Sequence, residues 1–349
     1  MKAIVVHEFG GPEVLRYEEI ETPAPADGEV LVQVHAVSVN QTLDIKLRQG
    51  ATRRGTELPH VLGVDPSGIV VGRGDAAGGL CEGDRVVVAS AMWCGTCEAC
   101  RRRDQADCAA TRHIGVHRWG GYAQFVVVPA SNVHRIPGHL DYADASVIIR
   151  HFPTSFNLLH AKAAITERDT VLVMGASGGL GGAGVQVALL AGATVIAGAR
   201  TTAGVDAAMA LGAHHGVAYG ETPLADAVAE ITDGRGADIV YENIGDPAMW
   251  DAVMASMARS GRLVTAGAHG GGHVGLNLHS LYRNRLRLVG GGGHGPADIA
   301  RTLAAAAEGR LRTNIDRRLP LARTAEAHRL AEARQTVGKI VLLPQEDPQ

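Results

Sequence analysis

The hydrophobic positions change their period once along the chain. In the first part apolar and polar residues alternate: "EVLVQVHAVSVN" and "SGIVVGRG" keep a period of two, and "DRVVVAS" and "YAQFVVVPA" are short runs bounded by Gly, Asp and Pro. This predicts a β-rich domain. From about Ala163 to Gly291 the pattern is different. "TVLVMG" is wholly apolar, a Gly-rich turn follows, and "GLGGAGVQVALLAG" reads as a helix. The strand "ATVIAGA", the helix "AGVDAAMALGA", the strand "ADIVYEN", a helix around "AMWDAVMASMA" and the strand "GRLVTAGA" come next. Strand and helix alternating at this spacing predict a doubly wound parallel sheet in an α/β chain. The last stretch adds the helices "PADIARTLAAAAEG" and "TAEAHRLAEARQ" and a final strand "GKIVLL". "GGGHVG" and "GGGGHG" are Gly-rich loops, too short to be linkers.

With 349 residues, 46% of them hydrophobic, the chain can support two domains with their own cores. A net charge of −3 gives no reason to expect nucleic acid or an acidic membrane as partner. The opening "MKAIVVHEFG" lacks the apolar core of a signal peptide, and every long apolar run is broken by Gly. A reducing cytoplasm is the expected setting. Forty-five Gly residues against 4% aromatics suit tight turns and close backbone approach to a ligand.

One such approach is "GASGGLGG", between a strand ending at Met174 and a helix. Ala176, Ser177, Gly178, Gly179, Leu180 and Gly181 form a G/A-x-G-x-x-G variant in the strand–turn–helix context of a dinucleotide site. Gly178 lets backbone approach a pyrophosphate, Gly181 lets the helix pack on the strand, and the helix N-terminus offers free N–H groups. The end of the second strand indicates which dinucleotide. An NAD site usually carries an acid there; here Ala199 is followed by Arg200 and Thr201. A guanidinium binds a ribose 2′-phosphate that a carboxylate would repel, so NADPH is the expected cofactor, with adenine stacking or solvent as the alternative place for Arg200. Asn243, at the end of "ADIVYEN", joins the cofactor-binding set.

Four of the five cysteines fall between Cys94 and Cys108, spaced x2, x2, x7. Cys94, Cys97, Cys100 and Cys108 can close a tetrahedron around one Zn²⁺, and a closed four-thiolate site is structural. "RRR" at 101–103 reads as a solvated face of that lobe, and Cys81 as structural.

Together these stretches, with "LDIKLRQG", "LGVDPSGIVV" and "GGYAQFVVVPASNV", resemble the medium-chain dehydrogenase/reductase superfamily over nearly the whole chain. The resemblance implies a GroES-like β-rich catalytic domain over 1–148, with the zinc lobe at about 92–110. It implies a Rossmann domain over 149–291 and a return over 292–349 that completes the catalytic domain. Substrate and nicotinamide would meet between the two. The superfamily's zinc alcohol dehydrogenases carry a second, catalytic zinc, and its ligands do not match here. The first position falls at Asn40 or Gln41, the second at Val64 of Gly63-Val64-Asp65, and the third at Arg150 of "RHFPT". Val cannot bind a metal and Arg does not deprotonate to do so. His35, His60 and His151 leave a rebuilt site as the alternative.

Without that zinc the chain is more similar to the quinone oxidoreductase and enoyl reductase branch. The resemblance implies Asn40 at the nicotinamide ribose or the substrate carbonyl, and Thr154 near the nicotinamide. Plain structural roles compete: a turn cap for Asn40 and a helix hydroxyl for Thr154. Arg150 either faces the cleft, holding an oxyanion or a substrate anion, or faces solvent. His151 is the candidate proton donor. Asp65 either orients an Arg or His or opens a turn, and Lys339 either reaches a cofactor phosphate or lies at the surface. Trp119 and Tyr122 either line the substrate pocket or fill the β domain. Loops 48–60 and 268–285 are expected to shape that pocket. The strand "RLRLVGG" (285–291) is expected to pair two copies edge to edge into a homodimer. The expected activity is NADPH-dependent hydride transfer to a quinone, enone or enoyl substrate without catalytic zinc. The alternatives are an alcohol dehydrogenase with a rearranged metal site and a non-catalytic NADPH-binding protein.

Overall fold

A computed structural model describes residues 1–51, 55–333 and 335–346. Residues 52–54, in one of the loops expected to shape the pocket, lie outside the described residues. The chain divides into two units, Met1–Arg150 with Leu303–Gln349, and His151–Thr302.

The first unit is built on the strand Glu29–Ser38, which alternates buried and half-buried residues before becoming fully buried at its end. It pairs antiparallel with Pro66–Arg73 and Phe125–Pro129. The chain's last strand, Lys339–Leu343, joins the same sheet, with Val341 opposite Ser38. That pairing brings the start of the last strand beside Asn40. Valines from these strands (Val30, Val32, Val34, Val70, Val126, Val128) form the centre of the core.

The second unit holds six parallel strands. In spatial order they are His215–Ala218, Thr194–Ala199, Thr170–Met174, Ala237–Glu242, Met257–Thr265 and Arg287–Gly290. This is the doubly wound order, which places ligands at the carboxyl ends of the strands. Every residue of Thr170–Met174 is buried, as a central parallel strand covered on both faces requires. Arg287–Gly290, within the segment expected to pair two copies, is the outer strand on one side.

Three elements escape the sequence pattern. The strand His215–Ala218 and the helix Leu224–Ile231 are short and flanked by polar residues. The helix Tyr142–Phe156 contains Pro153, whose ring and missing N–H read as a break. That helix carries Arg150, His151 and Thr154, and the division between units falls within it. The return to the first unit comes at Leu303, later than residue 292. It lies inside the helix Pro296–Ala307, where the sequence has no punctuation to mark it.

Candidate active site

In the second unit the Gly-rich turn joins Thr170–Met174 to the helix Gly179–Leu190. Gly175 takes φ +66°, the left-handed conformation that favours glycine, and so reverses the chain into the turn. A Cβ on Gly181 would lie 2.1 Å from the Gly175 carbonyl oxygen, so only glycine allows the helix to start this close to the strand. Gly178 is the helix N-cap and makes no side-chain bond, which leaves the first N–H groups of the helix available. At the end of Ala237–Glu242, Asn243 is buried, and neither end of its amide has a hydrogen-bond partner. A buried amide left unpaired at both ends calls for a ligand. Beside it the buried Glu242 carboxylate accepts the N–H groups of Ile244 (2.8 Å) and Gly245 (3.0 Å). Burial raises its pKa. These features fit a dinucleotide on the turn.

His151 and Thr154 also belong to this unit. The imidazole of His151 lies against the turn: a Cβ on Gly179 would meet its Nε2 at 2.7 Å. Thr154 is a buried helix hydroxyl, 3.3 Å from Nδ1 of His294. Arg200 is exposed after the second strand, and Thr201 caps the next helix by accepting the Gly204 N–H at 3.2 Å. A Cβ on Gly204 would stand 3.0 Å from that of Ala199, a tight contact at the start of this helix.

The first unit brings a second group of candidates together. Lys339 donates to the Asn40 side-chain oxygen at 2.8 Å and to the Val39 carbonyl. The Asn40 amide nitrogen donates to the Ser38 carbonyl at 3.1 Å and lies 3.4 Å from Asp65. Arg150 stands on the other side of Asp65, Nε to carboxylate 3.8 Å, and its Nη1 lies 3.5 Å from the Ser90 hydroxyl. Asp44 accepts the backbone N–H groups of Asn40 (2.8 Å) and Gly63 (3.1 Å). Two fully buried carboxyls thus face two cations. Burial lifts the pKa of Asp44 to about 7 and that of Asp65 to about 6, the latter held down in part by Arg150. Burial lowers Lys339 to about 8 against the pull of Asp44 and Asp65.

Several sequence assignments change here. Lys339 is half-buried and bonded to Asn40 rather than lying at the surface. Both ends of the Asn40 amide are engaged, and its side chain makes no cap to the turn that begins at Gln41. Asp65 orients an arginine. Tyr122 fills the domain: it is fully buried, with its hydroxyl 3.1 Å from Nε2 of His328. His328 in turn faces Arg48, whose guanidinium binds Glu332 at 2.5 Å. Trp119 is largely exposed and donates to the Pro59 carbonyl at 3.4 Å. Asp44, Ser90, Arg48 and His328 were not legible as one network, because the fold assembles them from three distant segments, around 44–48, 90 and 328.

Of the metal alternatives, one set of side chains is suited to an ion. Among the described residues, Cys94, Cys97, Cys100 and Cys108 are the only group of three or more potential ligands gathered closely enough. Cys108 and Cys94 sulfurs are 3.6 Å apart and Cys94 and Cys100 4.0 Å, near the edge of about 3.8 Å in a tetrahedral Zn–thiolate site. Backbone N–H groups of Thr96 and Cys97 draw the Cys94 pKa down to about 6, favouring the thiolate. Val64 is buried among apolar neighbours, His60 bonds the Gly115 carbonyl, and His35 stacks on Tyr142. None of the three joins a ligand set.

Comparison with known proteins agrees with this architecture. Residues 26–138 match the alcohol dehydrogenase GroES-like domain and residues 211–342 match the zinc-binding dehydrogenase family. A Homo sapiens protein named quinone oxidoreductase is 28% identical, over 98% of this chain and 98% of its own. A Sulfolobus acidocaldarius protein named NAD-dependent alcohol dehydrogenase is 29% identical, over 98% of this chain and 99% of its own. A crystal structure of an NAD-dependent alcohol dehydrogenase superposes with a TM-score of 0.92 at 34% identity, covering 98% of this chain and 99% of that one.

Proposed function

The chain belongs to the medium-chain dehydrogenase/reductase family of oxidoreductases, and from that premise we propose that it reduces a conjugated carbonyl with NADPH and without a catalytic metal. The observation that carries this reading is Arg150: it stands where a metal ligand is expected, with its guanidinium turned toward Asp65 and Ser90.

When bound, the nicotinamide supplies the hydride. The chain's own residues then manage the negative charge that appears on the substrate oxygen. On a simple ketone that charge is one alkoxide, and a metal normally contributes several kcal/mol to its stability. On a quinone or enone it spreads over a hydroquinone or enolate anion. One fixed cation, Arg150, held by Asp65, would then be sufficient. Lys339 and Asn40 position this arrangement. The anion takes its proton from water or from His151, which leaves the saturated carbonyl compound or the hydroquinone. Gly178, Gly181 and the helix N-terminus would hold the pyrophosphate, the Asn243 amide would bond the cofactor, and Arg200 would favour a 2′-phosphate. One zinc on the four cysteines would brace the lobe.

We further infer a cytoplasmic homodimer paired through Arg287–Gly290; the apolar side chains Leu278 and Tyr282, exposed in the helix before that strand, support it. Sedimentation at micromolar concentration checks it, and a monomer there contradicts it. The activity is tested by a panel of quinones, enones, enoyl thioesters, simple ketones and aldehydes. NADPH oxidation is expected with the conjugated compounds. Faster turnover of simple aldehydes, abolished by chelator, would restore a catalytic metal.

A further inference from the structure

The adenosine end of the proposed cofactor site contains an acid that the sequence motif does not reveal. The Thr202 hydroxyl lies 3.1 Å from each carboxylate oxygen of Glu221, and its backbone N–H points at the same group from 3.4 Å. Glu221 belongs to the loop after the third strand, His215–Ala218, while Thr202 opens the helix Thr202–Ala210 after the second. The Gly220 N–H donates to the Arg200 carbonyl at 3.0 Å and ties the two loops together. A Cβ on Gly204 would meet the Ser177 hydroxyl at 3.2 Å, so this helix start adjoins the Gly-rich turn. Two of the first-turn donors that would welcome a phosphate are already occupied. Thr201 takes the N–H of Gly204, and Glu221 takes that of Thr202.

We propose that Glu221 is a cofactor-specificity determinant acting against Arg200. This rests on the dinucleotide reading of the turn. In an ordinary NAD site the acid ends the second strand and accepts the ribose 2′-hydroxyl. Here that position is Ala199, and the carboxylate arrives instead from the third strand, fixed by Thr202. A 2′-hydroxyl donates to it; a 2′-phosphate meets a like charge beside the guanidinium that attracts it. The opposed pair holds the preference for NADPH over NADH to a modest ratio, and removing the acid raises it.

The test is direct binding of NADPH and NADH to the full chain, its Glu221→Gln variant and its Glu221→Lys variant. Adenosine 2′,5′-bisphosphate and 5′-AMP serve as probes of the adenosine half alone. Glu221→Gln is expected to tighten NADPH, weaken NADH and change the ratio of their Kd values about tenfold. Glu221→Lys shifts it further in the same direction, and the two fragments follow the same order. Binding of both dinucleotides with a ratio unmoved by either variant overturns the proposal and leaves the dinucleotide site standing. A parent protein that binds neither dinucleotide overturns both.

Discussion

The Lys339 ammonium and the Asn40 side-chain oxygen are 2.8 Å apart although 299 positions separate them in the chain. The last strand of the protein thus supplies the cation that holds a residue at the end of the unit's longest strand. Lys339→Met frees the Asn40 amide and leaves Asp44 and Asp65 short of a counter-charge. We expect kcat to fall by about tenfold to a hundredfold, the range of a small misplacement of reacting groups. Burial holds Lys339 near pH 8, so the parent enzyme should lose activity as pH rises through that value. Lys339→Met should lack this basic limb, and Lys339→Arg should move it to higher pH. An unchanged pH profile in both variants removes Lys339 from the site.

Asp44 makes stability depend on pH. Its pKa in the folded chain is about 7, against 3.8 unprotected by burial, so the native state binds the extra proton between those values. Its contribution is complete below about pH 4 and is lost as pH rises through 7. Asp44→Asn removes that slope. Relative to the parent, the variant should gain about 2–4 kcal/mol between pH 4 and pH 7.5, on top of a constant loss from one missing backbone acceptor. Urea unfolding midpoints at the two pH values measure it; parallel shifts contradict it.

The glycine turn makes a sharper structural demand. Gly181→Ala puts a Cβ 2.1 Å from a carbonyl oxygen that cannot retreat, since it belongs to the strand–turn junction. We expect a loss of about 1–3 kcal/mol in stability and weakened dinucleotide binding. Thermal unfolding and cofactor titration read the two effects, and a variant equal to the parent in both contradicts the assignment.

In the proposed reading Arg200 carries the positive half of cofactor choice. Arg200→Ala should weaken NADPH by about 1–2 kcal/mol, the scale of an exposed charge-assisted bond, and leave NADH nearly unaffected. Equal losses for both cofactors in titration would show that the guanidinium does not meet the 2′-phosphate.

What could be read from the sequence was local. The turn at 175–181 and the cysteine cluster are contiguous, and each residue in them answers to backbone geometry or ligand spacing at close range. The polar network around Asp65 is the opposite case. Asn40, Asp65, Ser90, Arg150 and Lys339 lie far apart in the chain; the pairing of Val37 with Pro66 brings Asn40 near Asp65, and the last strand, pairing beside Ser38, adds Lys339. Pro153 concealed the helix that carries Arg150, and nothing in "GARTT" indicates that its acid would arrive from the loop at Glu221.

The central claim is that Arg150 and its partners work where a metal would otherwise be held. The most direct measurement is the zinc content of fully active, purified enzyme. One zinc per chain is expected, bound to Cys94, Cys97, Cys100 and Cys108, with quinone or enone turnover unchanged by a chelator that leaves this zinc in place. Two zinc ions per chain, the second removable together with all turnover, would contradict the account.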